Sequence, residues 1–193
     1  MTEERIKRIT DVFNKRQQGL GIVLENVSDP HNISAVMRTA DAVGVQDVYI
    51  LNTAIEPHKK WGAKSSSSAA KWLTIHQFTD INNCINALRE RFDKIYTTHL
   101  SEDAQNIYDL NLTENIALVF GNEHGGISEE LLAEADGNFL IPQVGIIKSL
   151  NISVACAVCL YEAYRQKEKA GQYLTQSYNG RKADILKKNW GID

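Results

Sequence analysis

Residues 118–128, LVFGNEHGGIS, and residues 141–158, IPQVGIIKSLNISVACAV, each read as a strand that passes through a loop into a helix. In the first, a buried-type apolar run ends at Gly121, and the turn carries Asn122, Glu123 and His124 between glycines. Ser128 is placed to cap a helix whose first turn holds Glu129 and Glu130. In the second, Val144, Ile146, Ile147 and Leu150 follow neither strand alternation nor helical period and are interrupted by Pro142 and Gly145. A loop this apolar is expected to be buried against something. Ser149 and Asn151 stand among these residues at the mouth of the next helix, and an apolar wall with a few polar groups is how small-molecule pockets are built. Either stretch alone is also an ordinary strand-to-helix turn, in which glycine supplies positive φ and Ser or Asn merely caps. Found together, with Asn32 and Arg38 upstream, they read as two walls of one site.

Around these walls, strands and helices alternate. An amphipathic helix over about 3–17 precedes a strand at 20–27, and Asp29-Pro30 opens a helix that runs to about Val43 and ends at Gly44. Strands at 47–52 and 73–78 flank a basic loop, a helix covers 80–91, and strands follow at 94–100 and 116–120. The last third holds the short helix from Ser128, a strand near 139–141, the apolar loop and a long helix to about Ala170. This alternation predicts an α/β fold with a mainly parallel sheet and helices on both faces. Ligands of such sheets sit beyond the carboxyl ends of the strands, where Thr98, Gly121 and the loop after Ile141 fall.

At 193 residues and 43% hydrophobic content, the chain can bury about 70% of its unfolded surface in one core, so a single domain over 1–193 is expected. The first twenty residues contain no apolar segment of a leader, and nothing approaches a membrane span, which implies a cytoplasmic protein with no membrane partner. The four N-x-Ser/Thr sequons at Asn26, Asn32, Asn111 and Asn151 then carry no weight. Cys156-x-x-Cys159 lies inside an apolar helical pattern, which suits core packing better than redox chemistry. The five histidines show no zinc-ligand spacing with the cysteines, so no metal is expected. Neither G-x-G-x-x-G after the first strand nor G-x-x-x-x-G-K-[ST] is present, so any cofactor is held differently from a dinucleotide or a P-loop phosphate.

The formal net charge of -3 hides segregation. Residues 1–20 carry five basic and three acidic groups, residues 57–72 carry four lysines and no acid, and residues 163–193 carry seven basic against three acidic groups. The rest of the chain holds five basic and eighteen acidic groups. Terminal helices are often simply solvated by lysines, but the loop HKKWGAKSSSSAAKW interleaves Lys59, Lys60 and Lys64 with Trp61 and Trp72. Charge for phosphates beside rings that stack on bases suggests a polyanionic, nucleic-acid partner, with Arg8 contributing from the N-terminal helix. Trp72 reads equally well as the start of a strand and part of the core.

Asn32-x-x-Ala35-x-x-Arg38-x-Ala40, Gly121-Asn-Glu123-x-x-Gly126-Ile-Ser128, and Ile141-Pro142 followed by Ser149-Leu-Asn151-x-Ser153-x-Ala155 resemble the three motifs of the SPOUT methyltransferases, and more narrowly of their TrmH group. The resemblance runs from about Arg16 to Lys169. It implies an α/β fold with a C-terminal deep trefoil knot, a homodimer, S-adenosyl-L-methionine as cofactor, and basic helical extensions at about 1–18 and 171–193. The activity it implies is 2'-O-methylation of a tRNA ribose, with guanosine-18 of the D-loop as the expected target. Ribosomal RNA and the tRNA wobble nucleotide are the alternatives within that chemistry. A knotted RNA-binding protein without catalysis is the alternative outside it, although Arg38, Glu123, Ser149 and Asn151 are all intact. A flavodoxin-like nucleotide binder would leave Arg38 unexplained.

Carried over by residue, the resemblance assigns Thr98, Gly121, Ile141 and Leu150 to the cofactor and Arg38 to the ribose, with Asn32, Glu123, Ser149 and Asn151 orienting them. A guanidinium is a poor general base, so Arg38 is expected to work with a substrate phosphate, its fork binding the phosphate and steadying the developing alkoxide. Asn32 and Arg38 lie six residues apart, about 600° around a helix, and cannot share one stripe. Arg38 is therefore expected to point across a dimer interface.

Overall fold

The computed structural model describes residues 1–58, 69–123, 125–147, 149–175 and 178–192. Among them, seven strands form one sheet in the order β3-β2-β1-β6-β4-β7-β5, and every strand pairing is parallel. The strands are β1 (Gln17–Glu25), β2 (Val45–Leu51), β3 (Thr74–Phe78), β4 (Lys94–Thr98), β5 (Gln105–Asn106), β6 (Ile116–Phe120) and β7 (Gly137–Leu140). Six helices accompany them: α1 (Glu3–Asn14), α2 (Pro30–Ala42), α3 (Ile81–Arg89), α4 (Glu129–Ala133), α5 (Ile152–Lys169) and α6 (Gly180–Trp190). From β1 the chain moves outward through β2 and β3, then returns to the other side of β1, so the order reverses between β1 and β6. Such a reversal leaves a crevice at the carboxyl ends of the strands.

The strands read as unbroken apolar runs because both faces are covered. Along β1, Ile22 and Leu24 face α2 and α5, meeting Ile33, Met37, Cys156 and Leu160, whereas Val23 faces Cys84 and Leu88 of α3. Cys156 and Cys159 are thus core residues, and burial raises both thiols well above their usual range. Helix starts follow local chemistry. Asp29 accepts from the His31 amide ahead of Pro30, Asp80 from Asn83, and Ser128 from Leu131.

A third cluster joins the two ends of the chain. Ile9 and Phe13 of α1 pack with Leu186 and Trp190 of α6, with Trp72 at its margin. Trp72 closes a 3-10 turn (Ala69–Trp72) ahead of β3 rather than starting the strand. The segment before α6 is fastened by Tyr178, whose hydroxyl donates to buried Asp47 at 2.7 Å, on a carboxylate that also receives both Arg91 nitrogens and His76. Burial alone would raise the Asp47 carboxyl, but His76, Arg91 and Tyr178 outweigh it and hold the group below the usual carboxylate range.

Candidate active site

At the carboxyl ends of β4, β6 and β7 lies a cavity of about 650 Å³. The glycine loop forms one wall. Asn122 and Gly126 exchange backbone hydrogen bonds at 2.8 and 2.9 Å, closing a tight loop with Glu123 within it. A Cβ on Gly121 would fall 2.3 Å from the Gly126 carbonyl carbon and oxygen, and Gly126 holds φ at +68°, so the loop closes only around these glycines.

Residues at the end of β1 anchor this loop. Glu25, almost fully buried, accepts from the Ser128 amide at 3.0 Å and from its hydroxyl. Asn26 occupies the left-handed region at φ +50°. Its side chain accepts from the amides of Thr53 and Ala54, and its carbonyl accepts from Asn122 Nδ2 at 2.6 Å. Neither Glu25 nor Asn26 stands out in the sequence. The available hint is an acid and an amide directly after the apolar run of β1, where the chain leaves the sheet.

A relay of side chains crosses the mouth of the cavity. Asn151 is the N-cap of α5, its Oδ1 accepting from the Ser153 amide at 2.9 Å and hydroxyl at 2.6 Å. That fixes its Nδ2 outward, and it donates to Asn32 Oδ1 at 3.1 Å. Asn32, in the first turn of α2, passes its own Nδ2 to Glu123 Oε1 at 2.9 Å. Glu123 Oε2 accepts from the Ser28 amide and hydroxyl at 3.3 and 3.1 Å. Burial alone would raise the Glu123 carboxyl, but hydrogen bonds from Asn32, its own backbone and Ser28 outweigh it and hold the group below the ordinary glutamate range. Glu123 is therefore an acceptor at neutral pH, which orients both carboxamides.

The cavity gathers Thr98, Gly121, Glu123, Ile141, Ser149, Leu150 and Asn151 from five separate places in the chain, and Asn32 joins them through its two hydrogen bonds. Thr98 turns its hydroxyl onto the Val119 carbonyl at 3.1 Å, which locks β4 to β6 where the cavity begins. Arg38 is exposed on α2 and does not line the cavity. Arg8 is exposed on α1 and lines a different cavity, whereas Lys59, Lys60 and Lys64 lie outside the described residues. Among the described residues, no cluster of His, Cys, Asp or Glu could hold a metal ion. No helix is long and apolar enough to cross a membrane.

One expectation fails within the chain. The apolar loop is not buried: Val144, Ile146 and Ile147 are exposed, Ile146 at 99% of its reference area, and Leu150 is partly so. It projects beyond the sheet edge, where no element of the same chain packs over it. The long run without strand or helix period thus marks surface that the chain itself does not cover.

Comparison with known proteins agrees with this geometry. Residues 19–161 match the model of the SpoU rRNA Methylase family. The chain is 43% identical over 173 residues to a protein of Thermus thermophilus named tRNA (guanosine(18)-2'-O)-methyltransferase, covering 89% of this chain and 88% of the relative. It superposes on the A. aeolicus TrmH/SpoU tRNA modifying enzyme with a TM-score of 0.89 at 36% identity, covering 97% of this chain and 95% of that one. It also superposes on an AdoMet bound rRNA methyltransferase from Sinorhizobium meliloti with a TM-score of 0.70 at 25% identity, covering 80% and 59%. With the motif residues gathered at one cavity and three quarters of the chain inside the family match, this protein belongs to the SpoU rRNA Methylase family.

Proposed function

We propose that this protein methylates the 2'-hydroxyl of a tRNA ribose, guanosine-18 in the D-loop, using S-adenosyl-L-methionine. The observation that carries the reading is the Asn151–Asn32–Glu123 relay at the mouth of the cavity. The name of the Thermus thermophilus relative supports the nucleotide assignment.

The cavity suits the cofactor. Its volume is in the range of small-molecule sites, its wall is apolar at Ile141 and Leu150, and exposed polar groups stand at its mouth. Thr98, Gly121, Ile141 and Leu150 would hold the nucleoside part, and Ser149 with Asn151 would meet the amino-acid end. When bound, the cofactor supplies a sulfonium-activated methyl group. The chain's own task is then alignment, which is where most of the rate gain in such a transfer lies.

Glu123, kept ionised, fixes Asn32, and Asn32 fixes Asn151 at the cap of α5, so the polar rim is rigid before substrate arrives. Arg38 contributes a guanidinium fork that binds a substrate phosphate and steadies the developing alkoxide. Because Arg38 does not line its own chain's cavity, it serves the site of a second copy in a homodimer. The exposed Val144, Ile146 and Ile147, with Val154 and Tyr161 on α5, supply apolar surface for that association. The same reading includes a single methyltransferase domain over 1–193, a C-terminal trefoil knot, basic RNA-binding extensions at both ends, and action in the cytoplasm.

The test is transfer of labelled methyl to unmodified tRNA transcripts with and without a 2'-deoxy substitution at guanosine-18. Labelling lost with the deoxy substrate supports the assignment. Undiminished labelling moves the target elsewhere on the tRNA, and labelling of neither transcript overturns the tRNA reading.

A further inference from the structure

A second cavity, about 470 Å³, opens at the opposite end of the sheet. It lies between α1, the end of α2, the 3-10 turn before β3, and α6. Trp72 and Trp190 meet there edge to face, ring centres 5.4 Å apart. Arg16 is fully buried beneath them, its guanidinium 5.0 Å from the Trp190 ring centre. Arg16 donates to the carbonyls of Asp41 and Val45 and to the Asp41 carboxylate, while its Nε has no hydrogen-bond partner. Arg5 and Arg8, three residues apart on α1, share one helix face and stand exposed at the rim.

Two helices that merely needed to pack would close over aliphatic side chains and leave no such space. Here an open cavity is faced with indoles, backed by a buried guanidinium and rimmed by two exposed cations. Unpaired bases of RNA are taken up on aromatic rings and arginine planes, with cations on the flanking phosphates. We infer that this cavity is a docking pocket for one unstacked nucleotide of the RNA substrate. Its base lies against Trp72, its phosphate meets Arg5 and Arg8, and its N–H edge faces the carboxylate of Asp41. Guanine fits best, because its adjacent N1–H and N2–H donors match the two oxygens of a carboxylate.

The inference rests on the RNA-methylating reading above. The nine residues of β1 separate the two cavities by about 30 Å along the strands, so the docked nucleotide is not the one that is methylated. It acts as a distal anchor that governs which RNAs are held, without touching the chemistry.

The test has two arms. First, indole N–H resonances, assigned with single Trp→Phe variants, are followed while GMP, AMP, UMP, CMP or inorganic phosphate is added. The Trp72 and Trp190 signals should move most with GMP and not with phosphate alone. Second, steady-state methyl transfer to tRNA is measured for Trp72→Ala and for Arg8→Glu, an exposed position whose change leaves the core intact. KM for tRNA should rise about tenfold in each, with kcat held within about twofold. Immobile indoles, an equal response to phosphate, or unchanged KM in both variants while wild type remains active would overturn the pocket and leave the enzymatic reading standing. Failure of wild type to methylate any RNA would overturn the enzymatic reading instead, and the nucleotide titration alone would then decide the pocket.

Discussion

Asn151 donates to Asn32 at 3.1 Å across 119 residues of sequence, and this bond couples the first turn of α2 to the cap of α5. Its direction is set one step away, because the ionised Glu123 can only accept and so takes the Asn32 amide nitrogen. Three side chains thus hold one arrangement, and disturbing any of them should disturb the others.

Asn32→Ala should lower single-turnover methyl transfer by about 10- to 100-fold, the cost of leaving two partly buried polar groups unpaired. The acid side gives a sharper test. The Glu123 carboxyl is held below its usual range by hydrogen bonds in the folded state, so its contribution is present above the unfolded value and is lost as pH falls through the folded one. Without Asn32 that loss should begin at higher pH. An acid limb that coincides with wild type would refute the relay.

Asn26 offers a separation of backbone from side-chain effects. Asn26→Ala loses the hydrogen bonds to Thr53 and Ala54 and strains a residue at φ +50°, whereas Asn26→Gly loses only the hydrogen bonds. Urea denaturation should show Ala costing about 1 kcal/mol more than Gly. Equal midpoints would mean that the left-handed conformation carries no strain.

For Arg38, the fork argument is tested by Arg38→Lys, which keeps the charge and removes the planar pair of donors. Turnover should fall about 100-fold with cofactor affinity unchanged in calorimetry. Near-normal turnover would show that a point charge suffices.

Lys167 is almost fully buried, its ammonium facing the carbonyls of Thr113 and Glu114 and the side chain of Gln172. Burial pushes it down to about 8 from an ordinary 10.5. Between those values the unfolded chain holds more protons than the folded one, so this lysine's contribution to stability rises with pH across that window. Cys84 and Cys159, both pushed up to about 12 by burial, act in the opposite sense above pH 9. The comparison must therefore be made against Lys167→Met. The stability gap should move toward wild type by about 2–3 kcal/mol from pH 8 to 10.5 in denaturant titrations. A gap that stays flat would place the lysine in water.

Much of the site was legible in the sequence because local rules act there. Gly121 and Gly126 mark a loop with no room for side chains, Ser128 and Asn151 cap helices, and β6 coincides with its apolar run at 116–120. What escaped depends on distance. Glu25 reads as a strand-end acid, and only the fold brings it to Ser128, 103 residues on. Helix α6 is amphipathic but begins at Asn179 with no side-chain cap bond, and its buried face is defined by α1 at the other end of the chain. The two-residue β5 is too short for any pattern. The loop at 144–150 misled because hydrophobicity reports a wish for cover, not the chain that supplies it.

The relay also imposes an order on biosynthesis. Ser28, Asn32, Glu123 and Asn151 meet only after β6 has inserted beside β1, a pairing that closes a loop of nearly a hundred residues in the middle of the sheet. Long closures of this kind are late and slow. A chain still emerging from the ribosome therefore carries its N-terminal basic helix into the cytosol well before it owns a reaction centre. The young protein meets nucleic acid first as a cation, and becomes a catalyst only when its last third arrives.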